Sequence, residues 1–261
     1  MDLGIAGKTA LVLGASRGLG RAIAHRLASE GVHVVVSARS ADKLEALAAE
    51  ITERHGVEAT PVTCDMADRA SVDALAASIR TNLKPDILIN NAGGPPPSAA
   101  TGVADEVWRG SAEALMFSVI HLSEAALESM RERKWGRILT IASSGVIQPI
   151  PNLAVSNTIR SAIVGFSKTL ANEVAIDGVT VNLIVPGKID TERVGELDTA
   201  RAGRENKPVE QVRTEARTTI PAGRYGTPEE FAGVAAFLVS EPAAYVTGQM
   251  TRVDGGMIRA V

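Results

Sequence analysis

Short apolar runs alternate along the chain with stretches whose apolar residues recur at helical spacing. Residues 9–13, 32–36, 86–90, 138–141 and 179–184 are rich in Val, Ile and Leu on successive positions, as strands covered on both faces tend to be. Segments 40–54 and 67–81 space their apolar residues as amphipathic helices do. Strand followed by helix, several times over, predicts a parallel sheet with right-handed crossovers, hence a doubly wound α/β fold. No linker or change of composition divides residues 1–261, which read as a single domain.

One stretch breaks the pattern. Residues 190–221 hold six basic and seven acidic side chains and few large apolar ones. They follow Pro186-Gly187 at the C-terminal end of a strand, where ligands bind in open α/β sheets. That position predicts a helical lid inserted over a pocket, with a solvated helical excursion as the alternative.

Composition changes this picture little. The chain has 261 residues, 45% hydrophobic and 22% charged, with a net charge of −3. This gives no reason to expect nucleic acid or a membrane as partner. A lone Cys64 forms no intrachain disulfide, and no basic-then-apolar leader or membrane-length apolar run occurs, so a cytoplasmic setting is expected. No His, Cys or Asp grouping has metal-ligand spacing, and no metal is expected.

Gly14-Ala15-Ser16-Arg17-Gly18-Leu19-Gly20 follows the first strand and opens a helix. Such a loop lets backbone N–H groups approach a pyrophosphate at a helix N-terminus. At the end of the second strand Ser37-Ala38-Arg39-Ser40 offers no acid for a ribose 2′-hydroxyl. Arg39 and Arg17 instead suit a 2′-phosphate, which favours NADP(H) over NAD(H).

Together with four further segments, this loop resembles the short-chain dehydrogenase/reductase family over almost the whole chain. Those segments are Cys64-Asp65-Met66, Asn90-Asn91-Ala92-Gly93, Pro186-Gly187, and the terminal pair Tyr245-Val246-Thr247-Gly248-Gln249 and Val253-Asp254-Gly255-Gly256. The resemblance implies a Rossmann-like sheet and a dinucleotide held by Gly14, Ser16, Arg17, Gly18, Leu19, Gly20, Arg39, Asp65, Met66, Asn91, Ala92, Gly93, Pro186, Gly187 and Ile189. Asp65 stands where the family's acid reads adenine, and Pro186-Gly187 resembles the turn beside the nicotinamide.

Residues 153–168 resemble the family's active-site helix, which carries Tyr-x-x-x-Lys. Register backwards from Gly165 puts Ser156 on the tyrosine and Arg160 on the lysine. Thirteen positions earlier Ser143 matches the carbonyl-polarising serine, and Leu115 falls at or beside the relay asparagine. Ser156 has a much less acidic hydroxyl than tyrosine, and Arg160 holds a ribose and a positive charge without releasing a proton. Asn157 is a further candidate to bind a substrate oxygen, though Ser156 and Asn157 also read as a helix N-cap pair.

The reading is therefore an NADP(H)-dependent oxidoreductase of a β-ketoacyl-carrier-protein-reductase-like kind. It acts on a small carbonyl or alcohol through Ser143, Ser156, Asn157 and Arg160, with Arg160 also touching cofactor. The alternatives are an NADP(H)-binding protein without redox turnover, or an isomerase or lyase using the same pocket. The resemblance also implies a homo-oligomer, tetramer or dimer, built on helices near 108–130 and 151–175.

Overall fold

The computed structural model describes residues 1–260. Seven parallel strands form one sheet: β1 (Thr9–Leu13), β2 (His33–Ala38), β3 (Ala59–Thr63), β4 (Ile87–Asn90), β5 (Gly136–Ile141), β6 (Val179–Pro186) and β7 (Met250–Val253). Their order is β3-β2-β1-β4-β5-β6-β7, which is the doubly wound arrangement that the alternating pattern predicts. The strand order reverses between β1 and β4, so the loops after those two strands open a crevice at the C-terminal edge.

Burial explains which runs were legible. Strands β4 and β5 are buried at every position, as continuous apolar runs require. β3 is half-exposed, contains Pro61 and pairs only with β2 at the edge, where a missing N–H is tolerated. At the other edge, β7 pairs only with β6.

Nine α-helices are described: α1 (Gly18–Ser29), α2 (Ala41–His55), α3 (Arg69–Ser78), α4 (Asp105–Ala112), α5 (Ser118–Glu132), α6 (Ala154–Val174), α7 (Glu192–Glu205), α8 (Val209–Thr218) and α9 (Pro228–Leu238). Two apolar cores flank the sheet. One joins β1 and β2 to α1, α2 and α9 around Ile23, Leu27, Leu44 and Phe231. The other joins the opposite sheet face to α3, α5 and α6 around Leu75, Leu122, Met130 and Val174. Among the described residues no helix is long and apolar enough to cross a membrane.

The helix expected near 108–130 is made of α4 and α5 joined by a π-helical turn at Glu113–Phe117. Leu115 lies in this turn and is buried against Val155 and Ile159 of α6. Single π turns of this kind mark places where a helix is re-aimed, often at functional sites. Apolar periodicity carries no trace of the one-residue change in winding.

Segment 190–221 forms two helices, α7 and α8, each with two buried residues: Asp198 and Ala202 in the first, Val212 and Ala216 in the second. Asp198 of α7 is 1% exposed, and Tyr225 donates to its Oδ2 at 2.9 Å while Lys188 Nζ lies 3.1 Å from Oδ1. Burial and this bond push the Tyr225 phenol well above its ordinary range. Lys188 is thus tied to α7 by an ion pair.

Candidate functional site

The glycine loop leaves β1 at Gly14, whose φ of +59° is the left-handed conformation that glycine adopts without strain. Asn91, just beyond β4, donates through Nδ2 to the Gly14 carbonyl at 3.1 Å and ties the two loops of the crevice together. Gly20, in the first turn of α1, packs directly beneath. A side chain there meets the Gly14 carbonyl oxygen and lies 2.7 Å from Asn91 Nδ2. Ser16, Gly18 and Leu19 are half-buried at the loop and helix start, and Arg17 is exposed. The loop is thus held from below by backbone contact, with its helix N-terminus facing the crevice.

Around it stand the other residues read as cofactor contacts. Arg39 and Ser40 are exposed just beyond β2, and the Arg39 side chain makes no ion pair or hydrogen bond among the described residues. Asp65 uses one carboxylate oxygen, Oδ1, to accept from Ala67 N at 3.0 Å in its own turn, leaving Oδ2 free. Met66 presents its carbonyl to Ser118 at 2.8 Å. Ala92 and Gly93 continue the loop after Asn91, half-buried and exposed respectively. At the far side Gly187 N donates to Val253 O at 2.9 Å, and a Cβ at Gly187 comes within 2.5 Å of Asp254 Cα. That close approach is why glycine follows Pro186. Ile189 is buried, and its place is fixed by a parallel bridge to Gly226.

Asn90 has an internal task. Its Nδ2 donates to Ser123 Oγ at 3.0 Å and Thr140 Oγ1 at 3.2 Å, linking β4, β5 and α5, while its buried Oδ1 has no protein partner. A cavity of about 10 Å³ lies beside it, lined also by Thr140, Leu115 and Arg160. That is room for about one water between an unpaired acceptor and a guanidinium donor.

Arg160 of α6 donates from Nη1 to Ile141 O at 2.9 Å and from Nη2 to Ala92 O at 3.1 Å. It therefore clamps the ends of β4 and β5 from the helix. No carboxylate lies within ion-pair distance of it among the described residues. Burial, and secondarily the charge of Arg193, bring its pKa down to about 10, which leaves the guanidinium charged at neutral pH. A fixed, uncompensated cation in a low-dielectric crevice is a strong electrostatic feature.

Ser156 lies one turn before Arg160 on the same face of α6. It is 8% exposed, and its hydroxyl makes no hydrogen bond among the described residues. Ser143, just after β5, begins a short 3-10 turn (Ser144–Val146) and accepts from Gly145 N at 3.1 Å. This bond uses an oxygen lone pair and leaves the hydroxyl hydrogen free to be donated.

Neither Ser156 nor Asn157 caps α6, because the N-cap position is Leu153. The orphan N–H groups are met by Ser98 of the loop after β4: its carbonyl accepts from Ala154 N at 3.2 Å and its hydroxyl from Val155 N at 3.5 Å. Ser98 escapes sequence reasoning because no motif or spacing marks it. Asn157 donates through Nδ2 to Ile150 O at 2.9 Å, and its Oδ1 presses on Gly145. It braces the 3-10 turn that carries Ser143. Tyrosines do not reach this place: Tyr225 is bound to Asp198 and Tyr245 is fully exposed.

The comparisons with known proteins agree with this geometry along nearly the whole chain. A family model described as enoyl-(acyl carrier protein) reductase matches residues 14–258. The 3-oxoacyl-[acyl-carrier-protein] reductase FabG of Escherichia coli (strain K12) is 38% identical over 255 residues, covering 96% of this chain and 97% of that one. Among solved structures, L-sorbose reductase from Gluconobacter frateurii complexed with NADPH and L-sorbose is 36% identical, with each chain covered over 100% and a TM-score of 0.94. A variant of the actinorhodin polyketide ketoreductase with NADPH is 35% identical, covering 96% and 97% of the two chains, with a TM-score of 0.89.

Proposed function

This chain belongs to the short-chain dehydrogenase/reductase family, and we propose that it is an NADP(H)-dependent oxidoreductase that works on a carbonyl or alcohol substrate through an atypical catalytic centre. The observation that carries this reading is the clamped, carboxylate-free Arg160 one turn from Ser156, facing a crevice whose glycine loop is intact.

The residues present fit the dinucleotide. Gly14 and Gly20 form a cradle that any Cβ fills, Asp65 keeps one carboxylate oxygen for an adenine amine, and Arg17 and Arg39 supply cations for a 2′-phosphate. That NADPH accompanies the L-sorbose reductase and the polyketide ketoreductase supports the same cofactor here. When bound, NADPH supplies the hydride. Ser143 donates its free hydroxyl hydrogen to the substrate oxygen, and Asn157 keeps that serine in place through Ile150 and Gly145. Arg160 holds nicotinamide-ribose hydroxyls and stabilises negative charge as it develops on that oxygen. The proton itself comes from water, because neither a guanidinium nor an unassisted serine hydroxyl releases one readily. Ser156, with no protein partner, is the group that orders this water.

A second reading, dinucleotide binding without redox turnover or isomerase or lyase chemistry in the same pocket, is favoured by one observation. The chain's two tyrosines lie elsewhere, one on Asp198 and the other in solvent. A homo-oligomer is also proposed, supported by the exposed apolar Phe237, Tyr245 and Met250 at and near the β7 edge and Phe117 before α5.

Two substitutions test the proposal. Arg39→Glu is expected to weaken NADPH binding about 10- to 100-fold, the worth of a charge-assisted bond turned to repulsion, and to leave NADH binding little changed. Equal affinity for NADPH in both chains contradicts the cofactor assignment. Ser143→Ala is expected to lower kcat for NADPH-dependent reduction of activated ketones about 100-fold with the NADPH Kd unchanged. Undiminished turnover removes Ser143 from the mechanism, and NADPH binding without consumption by the native chain supports the second reading.

A further inference from the structure

The lid has two fastenings of different kinds. In the middle of α7, Asp198 is held in a buried network by Tyr225 and Lys188, with Arg213 Nη1 3.9 Å away. Arg213 also pairs with Asp190 at 2.8 Å, so this side of the lid is anchored several times over. Two residues before Asp198, Glu196 reaches the opposite way. Its Oε1 lies 2.7 Å from Arg17 Nη1 of the glycine loop and its Oε2 3.4 Å from Arg193 Nη1. Arg193 in turn donates from Nη2 to Pro95 O at 3.1 Å in the loop after β4. The chain Arg17–Glu196–Arg193–Pro95 is a strap across the mouth of the crevice.

The strap is the weaker fastening. Its central pair is exposed, with 53% of the Arg17 side chain and 46% of the Glu196 side chain open to solvent, and such pairs contribute little. It also engages one of the two cations read as 2′-phosphate ligands, whereas Arg39 is free.

We propose that Glu196 latches the lid through Arg17 and that the latch responds to the cofactor's 2′-phosphate. This rests on the reading that Arg17 serves a 2′-phosphate. A dinucleotide bearing that phosphate offers Arg17 a dianion in exchange for a single carboxylate, draws it off Glu196 and releases α7 to pivot about Asp198. A dinucleotide without the phosphate has nothing to exchange and leaves the latch closed. The position of the lid then depends on which dinucleotide is bound, at a small cost in NADPH affinity.

The test compares native protein with Glu196→Gln, which keeps the size and removes the charge. NADPH Kd is expected to fall about threefold in the variant, in line with the small worth of an exposed pair, with NADH Kd unchanged. In the native protein, amide hydrogen exchange over 192–205 is expected to rise with NADPH but not with NADH, and in Glu196→Gln to be high without either. An unchanged or raised NADPH Kd in the variant, or an equal gain for both cofactors, overturns the latch. Arg17→Ala separates the two levels. If it weakens NADPH while Glu196→Gln does nothing, only the latch fails; if it leaves NADPH affinity intact, the reading of Arg17 fails and the latch with it.

Discussion

A chain carrying both Ser156→Tyr and Arg160→Lys is expected to reduce simple ketones about 10²- to 10⁴-fold faster than the native chain, the usual contribution of a positioned general acid. Two observations make the double change necessary. Ser156 lies one turn before Arg160 with an unengaged hydroxyl, so a tyrosine there restores the phenol at the place proposed for the substrate oxygen. Arg160 is fixed by Ile141 O and Ala92 O, and its guanidinium cannot pass a proton on. A lysine one turn on supplies a compact cation that favours the phenolate and lowers the tyrosine pKa from about 10. The added rate requires a protonated phenol for reduction, so it is present below the new pKa and lost as pH rises through it. The native chain has no such phenol and keeps no matching descending limb. Steady-state rates against pH for both chains provide the check. A double variant no faster than native means that substrate oxygen does not approach position 156.

Gly20→Ala is expected to abolish measurable NADPH binding while costing only about 1–3 kcal/mol of stability, the usual range for a forced overpacking. The new Cβ meets the Gly14 carbonyl oxygen and Asn91 Nδ2, both of them backbone-fixed or locked in the 3.1 Å bond that joins the two loops. Neither can yield without moving the loop, and the helix N-terminus moves with it. The sheet below is untouched, because β1 and β4 remain paired through Ala10, Leu11 and Val12. Calorimetric titration with NADPH, alongside a urea unfolding curve, separates loss of the site from loss of the fold. Normal binding by a folded variant contradicts the placement of the pyrophosphate at this loop.

The sheet was legible because burial on both faces writes itself into sequence as uninterrupted Val, Ile and Leu, and β1, β4, β5 and β6 are buried nearly throughout. Gly14 and Gly20 were legible as a tight strand-to-helix turn because close backbone approach excludes a side chain at both. Less was legible where a side chain works through the backbone of a distant loop. Nothing in the pattern around Ser98 announces that it caps α6, and nothing around Asn157 announces that it braces Ile150. The N-cap alternative failed for the same reason: the helix begins two residues earlier, on a cap supplied from another loop. The π turn at Leu115 and the burial of Asp198 are likewise products of packing, set by α6 in one case and by Tyr225 and Lys188 in the other.

The proposed reaction passes hydride between NADPH and a substrate carbon at a centre without a phenol. The most direct measurement is a single turnover of the native protein with NADPH deuterated at both C4 positions and an activated ketone, followed by analysis of the product. One deuterium is expected on the carbinol carbon per NADPH consumed, appearing about 100-fold more slowly in Ser143→Ala. NADPH bound stoichiometrically with no label transferred to any activated ketone contradicts hydride transfer.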